Sequence, residues 1–197
     1  MREQDVQRHG RARKRRAQGL RGSALVELAL LFPILAVLLI GVSDFATAWN
    51  LKDKMAGAAR EGAHAAVTEF NDTNDPQCGG TPCSVVAGAA AANAYLQNSG
   101  ATNCSLDPAT ASVTTNGGFS WTFTSSSGGN CGIASITVAR AVDVVDAGTG
   151  TNVLCTQVQV TYPYAWSFSR VVKMIDPTWS LGNILTFTTT ETMPNLS

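Results

Sequence analysis

One stretch of the chain constrains its fold more than any other, an apolar run directly after a strongly basic N-terminus. The segment from Leu28 to Val42 carries no charged side chain, and the apolar run that begins at Ser23 is interrupted only by Glu27. As a helix, residues 23–42 would be about 30 Å long, enough to cross the hydrocarbon core of a bilayer. The sequence therefore predicts a transmembrane helix over residues 23–42.

A formal net charge of +0 hides a strong asymmetry between the N-terminus and the rest of the chain. Residues 1–22 hold eight Lys and Arg against two acids, whereas residues 23–197 hold six bases against twelve acids. A basic arm can bind nucleic acid, but this arm leads straight into an apolar run, which favours a role in membrane topology. We expect residues 1–22 to be a cytoplasmic leader, the span to lie in the cytoplasmic (inner) membrane, and the C-terminal part to lie outside. Nucleic acid is not an expected partner.

Helical character continues beyond the expected span. Residues 43–67 contain no proline, and alanine, the best helix former, occupies eight of these 25 positions. We therefore expect an extracytoplasmic continuation of the helix over residues 43–70. Within it, Ala58, Gly62 and Ala66 form a strip of small side chains at i, i+4 spacing. Such a strip fits an ordinary packed helix face as well as a contact between subunits.

Residues 71–197 are expected to form an extracytoplasmic α+β domain. A turn-rich break over residues 71–82 leads to an Ala-rich helix from Ser84 to Gln97, with Ser84 as its N-cap and Gly100 just past its end. Alternating apolar residues then predict four strands, which contain, in chain order, Phe119, Trp121 and Phe123; Ile136, Val138, Val142 and Val144; Leu154, Val158, Val160 and Tyr162; and residues 184–190. A long helix, a short helix and an antiparallel sheet make an α+β fold.

Five cysteines follow the expected span: Cys78, Cys83, Cys104, Cys131 and Cys155. An oxidising compartment outside the membrane would make disulfides plausible. Cys78 and Cys83 bracket a Gly-Gly-Thr-Pro turn, so this pair is expected first, with Cys104–Cys131 as a weaker second pair. The sequence alone leaves the connectivity open. Cys155 shares a strand face with Gln157, which does not favour a buried thiol.

Signatures of catalysis or metal binding are poor. Of the two histidines, His9 belongs to the leader and His64 stands alone in an Ala-rich stretch, which favours a surface or packed residue over a ligand. Cys78 and Cys83 lack a second cysteine pair at close spacing, so structural zinc is not expected. The sequence contains no nucleophile elbow, P-loop or metalloprotease motif. We therefore expect no enzyme, no metal and no cofactor.

The most informative residues lie at the start of the apolar run, Gly22-Ser23-Ala24-Leu25-Val26-Glu27. A carboxylate within a spanning helix costs about 2.5–3.5 kcal/mol at the bilayer centre and less near the interface, so Glu27 should have a partner. If the chain is cut after Gly22, the new α-amine of Ser23 lies one helical turn from Glu27. That amine, on the same or a neighbouring subunit, could neutralise the carboxylate. Alternatively, Glu27 reaches the cytoplasmic headgroups beside Arg21.

A glycine followed by four residues and then a glutamate, at the start of an apolar helix and after a basic leader, resembles type IV pilin-like precursors. Residues 19–67 look like the TadE-like family of tight-adherence (Flp-type) pilus assembly proteins. The matching residues are Gly22 to Ala29, Pro33, Asp44-Phe45, Leu51 and Ala58 to Ala63, with looser similarity at residues 158–162 and 190–191.

This resemblance implies a pilin-like fold and a minor pseudopilin that assists assembly of a thin adhesive pilus. It would be processed at Gly22–Ser23 by an aspartic prepilin peptidase, and its partners would be other pilins or pseudopilins and the pilus assembly machinery. Glu27 would then also make subunit contacts. Arg60 and Glu61 either form an intersubunit ion pair or are solvated surface charges worth little.

Two other interpretations remain open from the sequence. In one, residues 1–48 are a signal peptide of a secreted soluble protein or enzyme, because Ala46-Thr47-Ala48 satisfies the small-x-small rule for cleavage after Ala48. In the other, an uncleaved anchor displays a binding domain. The N-terminal residue of the mature protein distinguishes a pseudopilin from a secreted protein, since it would be Ser23 in the first and Trp49 in the second.

Overall fold

The computed structural model describes the backbone of residues 3–68, 77–101, 104–127, 131, 133–146, 148, 150–166, 176, 178 and 184–195, and side chains from Ala24 onward. These residues form helices α1 (Glu3–Thr68) and α2 (Cys83–Asn98) and strands β1 (Gln77–Cys78), β2 (Thr81–Pro82), β3 (Ser112–Asn116), β4 (Ser120–Thr124), β5 (Ser135–Val145), β6 (Asn152–Ala165) and β7 (Ile184–Pro194). The predicted α+β fold is confirmed. The chain divides into two compact units, Met1–Phe45 and Ala46–Ser197.

The first unit consists of the N-terminal part of α1. Its large apolar side chains between Leu25 and Val42 are exposed, apart from the half-buried Ile40, and they lie on every side of the helix. A helix that is apolar all round suits a lipid environment rather than a soluble surface. Within the described part of the chain, α1 is the one helix that is long and apolar enough to span a membrane.

The second unit begins with the C-terminal part of α1, which packs through small side chains. Its buried residues are Ala48, Met55, Ala58, Ala59, Gly62, Ala63, Ala66 and Val67. Helix α2 contributes a matching buried face of Val85, Gly88, Ala89, Ala92 and Leu96. The strip Ala58, Gly62 and Ala66 is therefore used for packing inside this chain, the ordinary packed face that the sequence left as one of two readings.

A five-stranded antiparallel sheet completes the second unit, with its strands in the sequential order β3-β4-β5-β6-β7. Its core face carries Trp121, Phe123, Ile136, Val138, Val158, Val160 and Tyr162, which form one apolar cluster with the buried residues of α1 and α2. Alternation with polar residues explains this arrangement, because successive side chains of a strand point to opposite faces. The helices thus lie on one face of the sheet.

The alternating pattern predicts that Ile136, Val138, Val142 and Val144 share one face of a strand, and a bulge in β5 makes this prediction wrong. Ala139 pairs with Gln157 and Val142 pairs with Cys155, so two residues of β5 oppose the single residue Thr156. This extra residue reverses the parity of the strand. Val142 and Val144 therefore lie on the face opposite to Ile136 and Val138, and Val144 is exposed.

Three further details differ from expectation. Ser84 is not the N-cap of α2, because the helix begins at Cys83 after Pro82 and Ser84 is fully buried within it. Phe119 does not extend strand β4: it lies in a turn after two positive-φ glycines and is 65% exposed. Strand β3 was not expected, and all five of its residues are exposed.

Candidate functional site

The expected processing segment lies on α1. Gly22, Ser23 and Glu27 all have helical backbone, and the side chain of Glu27 is exposed. Residues 23 and 27 are separated by four positions, so helical geometry brings them to neighbouring points on one face. An amine on residue 23 would therefore be within reach of the Glu27 carboxylate. Cleavage at Gly22 itself stays a prediction.

Arg60 has a partner inside its own chain. Its Nη2 lies 3.6 Å from Oε1 of Glu191 on β7, and the two side chains are 67% and 31% exposed. An ion pair this exposed contributes well under about 1 kcal/mol. The sequence pointed to Arg60 and Glu61 for subunit contact but did not identify Glu191 as a partner, although Glu191 belongs to the looser family similarity. Glu61 is exposed.

The two helices cross at close range beside Arg60 and Glu61. A Cβ atom placed on Gly62 would come within 2.8 Å of the carbonyl oxygen of Gly88 and 3.0 Å of Cβ of Ala92. A Cβ atom on Gly88 would likewise lie 2.9 Å from Cβ of Ala66. Glycine at both positions allows the backbones to approach, which holds this part of α1 against α2 in a defined register. The orientation of the exposed face of α1 follows from that crossing.

Two disulfides join the pairs expected from the sequence, Cys78–Cys83 and Cys104–Cys131. The first ties the β1–β2 turn to the start of α2, and the second ties the segment after α2 to the segment before β5. Cys155 is a free thiol and, contrary to expectation, is buried. Its Sγ donates a weak hydrogen bond to the carbonyl oxygen of Val153 at 3.6 Å.

A cavity of about 460 Å³ lies in the second unit. Thr47, Asn50, Leu51 and Lys54 of α1 line it together with Gly100, Ala101, the Cys104–Cys131 disulfide and the end of β6 from Tyr162 to Ala165. None of the described residues that line it is acidic. Apolar and aromatic walls with a few polar groups are typical of small-molecule sites. This cavity could not be predicted from the sequence, because its walls come from segments far apart in the chain.

Within the ranges described above, no group of three or more His, Cys, Asp or Glu is arranged to hold a metal ion. His64 is exposed on α1. The candidate functional features among the described residues are therefore the exposed surface of α1 and the cavity in the second unit.

Residues 22–64 match a family model described as TadE-like protein. The match confirms the resemblance recognised in the sequence, and it begins at the predicted processing residue Gly22. It covers Glu27, Arg60 and Glu61 and suggests involvement in tight-adherence pilus systems. No curated protein and no solved structure matches the chain.

Proposed function

We propose that this chain is a minor pseudopilin that assists assembly of a tight-adherence pilus. It is anchored in the cytoplasmic membrane by residues 23–42, with its N-terminus in the cytoplasm and its α+β domain outside. The observation that carries the proposal is the family match over residues 22–64, which coincides with the exposed apolar part of α1 and the residues that follow it. The protein acts by helix packing and subunit contacts and needs no catalysis.

Prepilin peptidase cuts the chain after Gly22 in this proposal. Glycine is among the poorest helix formers, so the helix opens there more readily than at its neighbours. Cleavage removes the basic leader and creates an α-amine on Ser23. That amine then pairs with Glu27 of the same or a neighbouring subunit, which lowers the cost of a carboxylate at the membrane edge.

The competing signal-peptide reading has less support. Cleavage after Ala48 would divide the segment that matches the family model, residues 22–64, whereas cleavage after Gly22 would leave all of it but its first residue in the mature chain.

N-terminal sequencing of the mature protein, combined with two pairs of variants, tests the proposal. The wild-type chain should begin at Ser23. Gly22→Val should block processing, whereas Gly41→Val should not, because a side chain at Gly41 meets nothing within 4 Å. Glu27→Gln should remain processed but lose pilus formation, whereas Asp53→Asn, an equal loss of charge at an exposed position of α1, should not.

A mature N-terminus at Trp49 would overturn the proposal in favour of a secreted protein. If neither Gly22→Val nor Glu27→Gln changes the N-terminus of the protein or the formation of pili, the pseudopilin proposal fails and a membrane anchor that displays a binding domain remains.

A further inference from the structure

The cavity in the second unit is equipped for an anion. Three polar side chains, Thr47, Asn50 and Lys54, reach it from successive turns of α1. The opposite wall is apolar and aromatic, with Tyr162 and Tyr164 almost fully buried. A cavity of about 460 Å³ is within the usual range for a small ligand or headgroup.

Lys54 is the charged side chain among the described residues that line the cavity. Its side chain is half-buried, and it takes no part in the ion pair that joins Arg60 to Glu191. No described carboxylate therefore neutralises the Lys54 ammonium group. A partly desolvated cation beside an apolar wall gains from an anionic ligand more than a fully hydrated surface lysine does.

The position of the cavity residues in the chain points to the source of that anion. Only six Lys and Arg follow residue 22, and two of them, Lys52 and Lys54, come within twelve residues of Val42, the end of the apolar run. Between them and the run lies Trp49, which is 57% exposed, and the Lys52 ammonium lies 5.9 Å from the centre of its ring. Exposed tryptophan past the end of a span is typical of the membrane interface, and a lysine near a helix end can extend its ammonium group to the headgroups.

We propose that this cavity binds the phosphate of an anionic phospholipid headgroup from the outer leaflet of the cytoplasmic membrane. Lys54 pairs with the phosphate, Asn50 and Thr47 donate hydrogen bonds to its oxygens, and the tyrosine wall contacts the glycerol part. The inference rests on the proposed membrane anchoring. It adds a second attachment of the domain to the bilayer, besides the helix.

Titration of the full chain in neutral detergent with short-chain phosphatidylglycerol tests the proposal, with bound lipid counted by native mass spectrometry. Phosphatidylglycerol should bind at least about fivefold more tightly than phosphatidylcholine. Lys54→Gln should weaken phosphatidylglycerol binding by at least about fivefold. Lys52→Gln removes the same charge two residues away but does not line the cavity, so it should weaken binding by less than about twofold. Ala165→Trp, which narrows the cavity at an exposed position and leaves its charge intact, should weaken binding as Lys54→Gln does.

Equal losses in the two lysine variants would overturn the proposal, because they would reduce the effect to general surface charge. Inorganic phosphate that competes as well as the lipid would overturn the lipid as the source of the anion. This result is separable from the proposed function: processing at Ser23 without lipid binding removes the cavity inference alone. Lipid binding with a mature N-terminus at Trp49 removes the pseudopilin proposal alone.

Discussion

Gly62 and Gly57 lie on the same helix but meet very different neighbours. A methyl group on Gly62 would press on the backbone carbonyl of Gly88, at 2.8 Å, whereas one on Gly57 would meet the far end of the Tyr95 ring, at 2.5 Å. The Tyr95 side chain is 39% exposed and can rotate away, but the backbone of α2 cannot. The loss of stability on adding a methyl group therefore depends on whether a backbone or the end of a side chain must move.

We expect Gly62→Ala to lower the free energy of unfolding by about 1–3 kcal/mol, through strain at the crossing. Gly57→Ala should change it by no more than about 1 kcal/mol in either direction, because the higher helix propensity of alanine offsets a small rearrangement. Denaturant unfolding of the full chain in detergent, followed by the fluorescence of the tryptophans, measures both. A larger loss for Gly57→Ala would contradict the close crossing.

Ala141 adopts a backbone conformation that favours glycine. Its φ is 55°, and it lies in the bulge between Ala139 and Val142. A left-handed conformation costs a residue with a Cβ atom roughly 1–2 kcal/mol. Ala141→Gly should therefore raise the free energy of unfolding by about 0.5–1 kcal/mol, after the entropy of the unfolded glycine is subtracted.

Ala139→Gly is the matched control for that change, since it pairs regularly in the same strand. It should lower stability by about 0.5–1 kcal/mol. The two variants are compared by their denaturant midpoints. If both variants change the stability in the same direction, the bulge imposes no strain on Ala141.

At the scale of elements, the two disulfides differ in the length of chain that they close. Cys104 and Cys131 are 27 residues apart, whereas Cys78 and Cys83 are 5 apart. Loss of loop-closure entropy predicts that replacing both cysteines of the longer loop by alanine costs about 3.5 kcal/mol, against about 2 kcal/mol for the shorter loop. Thermal unfolding of the two double variants tests this order. The reverse order would indicate that the β1–β2 turn, rather than the segments that line the cavity, limits the stability of the domain.

The elements that the sequence predicted are those whose signal is local. Helix α2 follows from its alanine content and ends before Gly100, whose φ of 67° requires glycine. The core strands follow from the alternation around Phe123, Val138 and Val160. Strand β3 has one apolar residue, Val113, in a fully exposed stretch, so no alternation marks it.

The features that the sequence could not predict arise from contacts between distant segments. The bulge at residues 140–141 contains neither glycine nor proline, so no local feature of the sequence predicts that Val142 lies on the other face of the sheet. Gly62 is recognisable as a small residue, but its neighbour Gly88 belongs to another helix. The cavity beside Lys54 likewise depends on where β6 ends, which only the assembled sheet determines.

For the whole molecule, the leader charge should determine which way the chain crosses the membrane. Replacing Arg11, Arg13, Arg15 and Arg16 by glutamine lowers the net charge of residues 1–22 from +6 to +2. Fewer positive charges before the span weaken the preference for a cytoplasmic N-terminus. We expect a smaller fraction of chains with an oxidised Cys104–Cys131 pair, measured by the mass shift on thiol alkylation.

The same four positions changed to lysine keep the charge and should keep the oxidised fraction. A loss of oxidation in the lysine variant would mean that these arginines act through specific contacts. Full oxidation in both variants would contradict the proposed dependence of orientation on leader charge.

The sequential order of the strands has a consequence for the nascent chain. Synthesis produces α1 first, whereas Val158 of β6 and Glu191 of β7, which lie against residues 62 and 60 of α1 respectively, are made last. Helix α2 is made earlier and can cover part of the buried face of α1, but the part that faces β6 and β7 stays exposed until those strands follow. Because that face consists largely of alanine and glycine, it exposes little apolar surface in the meantime, which limits aggregation of the incomplete chain. Chains that stop before β6 should be removed by quality-control proteases, because this part of α1 stays uncovered.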